Sequence, residues 1–288
     1  MRLWGRLRKG AAPPPYIDEI MLEILQYSFM QRALVGGILI AILCSTVGVF
    51  LVLRRMAMLG DGLAHISFGG IAAGMFFNIY PMLSALLFSI AAAIGIQKLK
   101  TMKVYSDSAI AIFFSFGLAL GVVLVSLSHG FNADLMSYLF GSILSVSGAD
   151  ITLISVVGIL TLCVLAFFYK ELFYITFDEE SAKTSGVPVE RLNTVLLVLT
   201  AIAVVLSMRI VGILLVSSLM VIPASIALPL SRNFRQAIFG SVAVSVASVA
   251  LGLVIAYYFD LAAGGAVVLV LVAAFAAMLV YKRLLKRA

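Results

Sequence analysis

The sequence predicts an all-α, polytopic helical membrane protein with eight or nine transmembrane helices, and three observations carry that prediction. Of 288 residues, 63% are hydrophobic and only 11% charged, with a mean hydropathy of +1.18. A soluble domain has roughly a quarter of its residues charged and under half apolar. The apolar residues gather into runs about as long as a bilayer crossing, and the basic residues fall largely to one side of those runs. A soluble enzyme, a disordered chain and a nucleic-acid-binding domain are excluded, despite a pI near 9.5. Eight or nine spans use about 160 to 180 residues, which leaves almost no room for a folded extramembrane domain.

Residues 1–20 form a basic tail with Arg2, Arg6, Arg8, Lys9 and three consecutive prolines, Pro13 to Pro15. The prolines favour an extended linker, and no apolar region long enough for a signal peptide is present. Met21 offers an alternative start, and residues 21–288 read as one transmembrane domain. The apolar runs lie at 33–53, 59–77, 79–97, 109–128, 151–169, 192–208, 210–230, 236–258 and 262–281. Each ends at charges, proline or glycine. Arg209 divides the stretch 192–230, which is too long for one crossing. Residues 135–148 are apolar but short and rich in small residues, as expected of a re-entrant or interfacial helix. Cys44 and Cys163 sit in separate runs without ligand-like spacing and read as small packing residues.

Basic residues set the orientation. If residue 33 starts outside, one side receives Arg54, Arg55, Lys98, Lys100, Lys103, Lys170, Lys183, Arg191, Arg232, Arg235 and the C-terminal cluster. Near the spans, the other side keeps Arg32 and Arg209. The excess of Lys and Arg in cytoplasmic loops makes the first side cytoplasmic. Nine spans place the basic tail outside, whereas an even count places it inside.

Among 13 acidic residues, Asp61 stands out because it lies within an apolar run. A carboxylate in a spanning helix costs several kcal/mol unless paired, hydrated or protonated, so it marks a pathway. His65, one of two histidines, follows four residues later in GDGLAHISFGG. Residues i and i+4 share a helix face. An imidazole with a carboxylate suits Zn²⁺, Mn²⁺ or Fe²⁺, whereas Mg²⁺ or Ca²⁺ requires more oxygens. Two ligands hold an ion weakly, and a transported ion must leave. A hydrogen-bonded Asp–His pair that stabilises packing is the structural alternative. Counted from Arg55, His65 is expected about 15 Å along the helix, near the midplane. Gly70–Gly74 and Gly117–Gly121 carry the small-xxx-small spacing of close helix contacts. His129, Asp134 and Asp260 are expected at outer ends of spans, and Asp107 as an N-cap or first-turn acid.

The run FLVLRRMAMLGDGLAHISFGGIAAG resembles the first signature of the permease subunits of the zinc/manganese/iron ABC importers. ADLMSYLFGSILSVS at 133–147, FDEESAKTSGVPVERLN at 177–193 and RIVGILLVSSLMVIPASIAL at 209–228 match further stretches in order. The resemblance covers residue 21 to the C-terminus, making 21–288 a permease domain. It departs at DLAAGG, 260–265, where many relatives carry a proline. The resemblance implies an ABC importer permease fold, a homodimer in the cytoplasmic membrane, two cytoplasmic ATP-binding subunits and an extracytoplasmic metal-binding protein. It also implies that Asp61 and His65 touch the transported Zn, Mn or Fe, with no permanently bound cofactor.

No G-x-x-x-x-G-K-[ST] phosphate loop occurs in the chain, so ATP hydrolysis is expected on a partner and this chain is expected to be non-catalytic. Two polar segments offer a coupling surface. Residues 178–191 turn at Gly186 and Pro188. Residues 223–235 carry Pro223 and Pro229, which disrupt the helix, with Arg232 and Arg235 beyond them. The family resemblance favours the second as the coupling helix and leaves the first as a neighbouring contact. A secondary carrier using Asp61 and His65 as a proton or ion relay is the alternative function. An intramembrane hydrolase ranks below both, because HExxH is absent.

Overall fold

The computed structural model describes residues 27–128, 133–142 and 146–285. The basic tail, His129 and the Asp134 side chain lie outside that description. Helix α1 spans Ser28–Leu53, α2 Leu59–Phe76, α3 Pro81–Thr101 and α4 Ser106–Leu127. A short helix α5, Ala133–Phe140, precedes α6, Gly148–Phe167. Helices α7, Tyr169–Phe177, and α8, Glu179–Thr184, lead into α9, Val189–Val211. Then come α10, Val216–Ala227, α11, Phe234–Tyr258, and α12, Ala263–Leu285. One-turn 3₁₀ segments at Ile213–Leu215 and Leu228–Leu230 flank α10.

Eight stretches among the described residues are long and apolar enough to cross a membrane, with 213–230 counted as one. The ninth expected span, α2, is as long as the shortest of these but carries Asp61, His65 and glycines at 60, 62, 69, 70 and 74. Of the 135–148 stretch expected to form a re-entrant or interfacial helix, residues up to Phe140 belong to the short helix α5, and 143–145 lie outside the described residues. Asp107 takes the first turn of α4, where a carboxylate complements the helix dipole. Cys44 is buried in α1, but Cys163 is exposed on α6, so the packing role expected for both holds only for Cys44.

The helices form two groups joined by α9. Helix α2 packs on α3 and α4, while α1 packs on α10 and α11, and α11 on α12. Helix α9 touches α3, α1 and α2 and is buried along most of its length. Hydroxyls inside the bundle return to their own backbone: Ser45 Oγ donates to the Ala41 carbonyl at 2.6 Å and Thr200 Oγ1 to Leu196 at 2.7 Å. This satisfies polar groups where water is absent. Small residues set the spacing between α2 and α4. A Cβ on Gly69 would stand 2.7 Å from the Gly117 carbonyl oxygen, and one on Gly117 would overlap the Ile66 backbone.

The 192–230 stretch breaks at Gly212 rather than at Arg209. Gly212 has φ 90° and ψ 150°, a region open essentially to glycine alone. Arg209 stays helical because its charge is neutralised elsewhere in the fold, as described below. At the break, α5 crosses α9 backbone to backbone: a Cβ on Gly212 would lie 2.6 Å from the Leu139 carbonyl oxygen.

Candidate functional site

Asp61 lies in the first turn of α2 and His65 one turn later on the same face. From Leu59 to Gly74 every residue is buried except these two, which are half-buried. The helix therefore spends all its apolar and small residues on its neighbours and leaves one ionisable strip open. Among the described residues, neither side chain makes a hydrogen bond or ion pair within 4 Å. The His65 ring packs against Phe114 of α4, with centroids 4.2 Å apart and planes at 59°. That contact orients the imidazole without consuming its nitrogens. Because α2 begins at Leu59, His65 sits about 9 Å along it, less than the distance expected from Arg55.

One carboxylate and one imidazole make a sparse site. Among the described residues no group of three His, Cys, Asp or Glu side chains is placed to hold a metal. Asp61 and His65 alone offer two donors, too few to complete the coordination of a divalent ion.

The second deep acid escaped the sequence reading. Asp150 is fully buried at the start of α6, where it forms a capping box with Ser147. Its Oδ2 accepts from the Ser147 hydroxyl at 2.7 Å and amide at 2.9 Å, and Oδ1 accepts from Tyr80 at 3.2 Å. Arg209 Nε stands 3.4 Å from Oδ2, and the guanidinium lies 4.7 Å above the Tyr138 ring. This cluster ties α5, α6, α9 and the α2–α3 turn together. Position 150 adjoins an apolar run and looks like a loop acid. Only the 59-residue separation closed by the fold reveals its partner.

The residues expected at a coupling surface fall around α8 and within or just after α10. Pro223 is buried within α10, Pro229 is in the following 3₁₀ turn, and Arg232 and Arg235 are exposed. Asn233 caps α11 by accepting from the Gln236 amide at 2.8 Å. Gly186 has φ +82° in the exposed turn between α8 and α9, with open space around it. Asp178 caps α8, and the Ser181 hydroxyl and amide hold its carboxyl below the usual carboxylate range.

Helix α8 is tied to the bundle by Arg54, whose side chain is 6% exposed. Its guanidinium reaches Glu179 at 2.9 Å and donates to Asn193 Oδ1 at 2.6 Å, while Asn193 Nδ2 donates to Glu179 at 3.2 Å. Helix α7, which leads into the first expected coupling segment, meets the second through aromatic rings. Phe234, at the start of α11, lies 5.1 Å from Phe173 and 5.9 Å from Phe177 of α7.

Comparison with known proteins places this architecture. The ABC 3 transport family matches residues 26–282. The zinc uptake membrane protein ZnuB of Haemophilus influenzae is 33% identical over 84% of this chain and 94% of its own length. The manganese permease ScaB of Streptococcus gordonii is 34% identical over 88% of this chain and 91% of its own. The solved structure of PsaBC from Streptococcus pneumoniae in complex with Fab superposes with a TM-score of 0.82. It is 32% identical and covers 91% of this chain and 95% of its counterpart.

Proposed function

Because the chain belongs to the ABC 3 transport family, we propose that it is the membrane subunit of an ATP-driven importer that passes Zn²⁺, Mn²⁺ or Fe²⁺ across the cytoplasmic membrane. The observation that carries this reading is the open strip on α2: Asp61 and His65 are the only residues between Leu59 and Gly74 left unburied. An ionisable strip within a spanning helix does not face lipid tails, because each charged group there costs several kcal/mol. It faces a water-filled path or a second protomer. Two copies related by a two-fold axis would supply two carboxylates and two imidazoles, enough for a transition metal and too few oxygens for Ca²⁺. The ion is substrate: it binds transiently and leaves.

Energy comes from outside the chain, which contains no phosphate-binding loop. Two ATP-binding subunits would press on the cytoplasmic face, and an extracytoplasmic protein would deliver metal to the other. The coupling surface combines α8 and Gly186 with Pro229, Arg232 and Arg235. Helix α8 is exposed yet clamped to α1 and α9 by Arg54, so it transmits a push better than a free loop would. Pro223 interrupts the backbone ladder of α10 and gives that helix a bending point.

Metal content of cells with and without the gene, each starved separately of zinc, manganese or iron, tests the function. Loss of accumulation of one of the three metals is expected in the deletion strain, with recovery on complementation by the wild type and none by Asp61→Ala. Unchanged content of all three metals contradicts the proposal.

A further inference from the structure

A cavity of about 590 Å³ opens at the cytoplasmic end between the C-terminus of α3, helix α8 and the first turn of α9. Its walls carry three cations, Lys100, Lys183 and Arg191, and the polar side chains of Gln97, Thr101 and Asn193. Glu179 and Glu190 also border it, but Glu179 is engaged by Arg54 and Asn193. Among the described residues, none of the three cations has an acidic partner within 4 Å, and Lys100 Nζ makes only a long contact to Met56 Sδ at 3.9 Å. The balance favours an anion.

Gln97 gives an independent sign of a ligand. It is 7% exposed, lines this cavity, and its Oε1 has no hydrogen-bond partner. A buried amide oxygen left unpaired costs about 1–3 kcal/mol. The amide can offer its oxygen to a hydroxyl or, turned over, its N–H to a phosphate oxygen. Beside it, α9 starts at Val189 behind Pro188 without a side-chain cap; the Val189 amide donates to the Val187 carbonyl at 2.8 Å, which leaves the Glu190 and Arg191 amides as the first-turn donors to an anion.

The cavity's position selects the kind of anion. Gln97 and Lys100 lie in the last turns of a spanning helix, at the level where headgroups meet hydrocarbon. Leu83, Leu87 and Ile94 on the same helix are exposed and form an apolar stripe that ends at Lys98, one residue from Gln97. Basic pockets between spanning helices on the cytoplasmic side suit anionic headgroups. We propose that this cavity binds the phosphodiester headgroup of an anionic, hydroxyl-bearing lipid of the inner leaflet, its acyl chains lying along the α3 stripe. Lys100 and Arg191 hold the phosphate, Gln97 accepts from a headgroup hydroxyl, and Lys183 brings α8 into contact with the same lipid. The cavity thereby joins one proposed coupling segment to the bilayer.

The test is native mass spectrometry of the full chain, delipidated in a neutral detergent and titrated with phosphatidylglycerol or phosphatidylcholine of matched chains. One phosphatidylglycerol per protomer is expected to persist at a roughly tenfold lower lipid concentration than phosphatidylcholine. Lys100→Gln combined with Arg191→Gln should erase that preference, whereas Lys282→Gln with Arg283→Gln, removing equal charge elsewhere, should keep it. If the first pair fails to fold, Lys183→Gln alone, on an exposed helix, should weaken phosphatidylglycerol retention about threefold. Equal retention of both lipids by the wild type overturns the proposal. So does a preference unchanged in the cavity variants, or full displacement of phosphatidylglycerol by millimolar inorganic phosphate. Normal lipid preference with lost ATPase association in the cavity variants would make it a protein-docking pocket, and also overturns the proposal.

Discussion

Asp61 and Asp150 are both carboxylates in the first turns of apolar helices, and the fold treats them in opposite ways. Asp150 is fully buried, accepts from Ser147 and Tyr80, and faces Arg209 at 3.4 Å. Asp61 is half-buried with no such partner among the described residues, and its helix-mate His65 keeps both nitrogens uncommitted. A carboxylate whose lone pairs are consumed by the fold stabilises the fold. One left open has lone pairs to lend to an ion. The two sites differ both in burial and in how many of the carboxylate's lone pairs the fold consumes.

Removing each acid should break the comparison in opposite directions. Asp61→Ala and His65→Ala are each expected to cut metal uptake by about a hundredfold or more, while thermal unfolding of the purified protein stays within a degree or two. Asp150→Ala should do the reverse. Deleting one partner of a buried pair costs about 3 kcal/mol, so the unfolding temperature should fall by several degrees, with uptake per folded molecule largely retained. A next, smaller effect concerns the outer break. Gly212→Ala places a side chain at φ 90° against the α5 backbone. It should cost about 1–3 kcal/mol, readable as loss of protease resistance around residues 139–142.

The coupling face should respond more gently. Arg232→Glu or Arg235→Glu is expected to weaken ATP-binding-subunit association several-fold in a pull-down; unchanged association removes those residues from the contact. The smallest effect is at Asp178. Its carboxyl is held below the ordinary range by Ser181, so the α8 cap is present above about pH 4 and weakens as pH falls through the lowered value. Hydrogen exchange of the α8 amides should quicken only at the acid end of a pH series, and Asp178→Ala should abolish that pH dependence.

Much of this fold was legible because a membrane leaves the chain few choices. Runs of about 20 apolar residues became helices, and the helix ends fell within a few positions of the charges that bounded the runs. The break in 192–230 was misplaced by three residues: Arg209 looked like an interruption, yet it remains helical because Asp150 and the Tyr138 ring receive its charge. Asp61 and His65 were legible because charge inside an apolar run needs no alignment to stand out. Asp150 was hidden by its place at a run's edge. Arg54 was counted only as a marker of sidedness, and its role as the clamp on α8 depends on Glu179 and Asn193, more than a hundred residues away. Contacts of that range are a property of the packed bundle and leave no local pattern.

Contact between the open strip on α2 and a transported ion is decided by metal-ion uptake into proteoliposomes containing the importer complex with His65→Ala, alongside ATP hydrolysis by the same vesicles. Assembly and ATP hydrolysis comparable to wild type, with uptake near background, are expected. Uptake at the wild-type rate would contradict that contact.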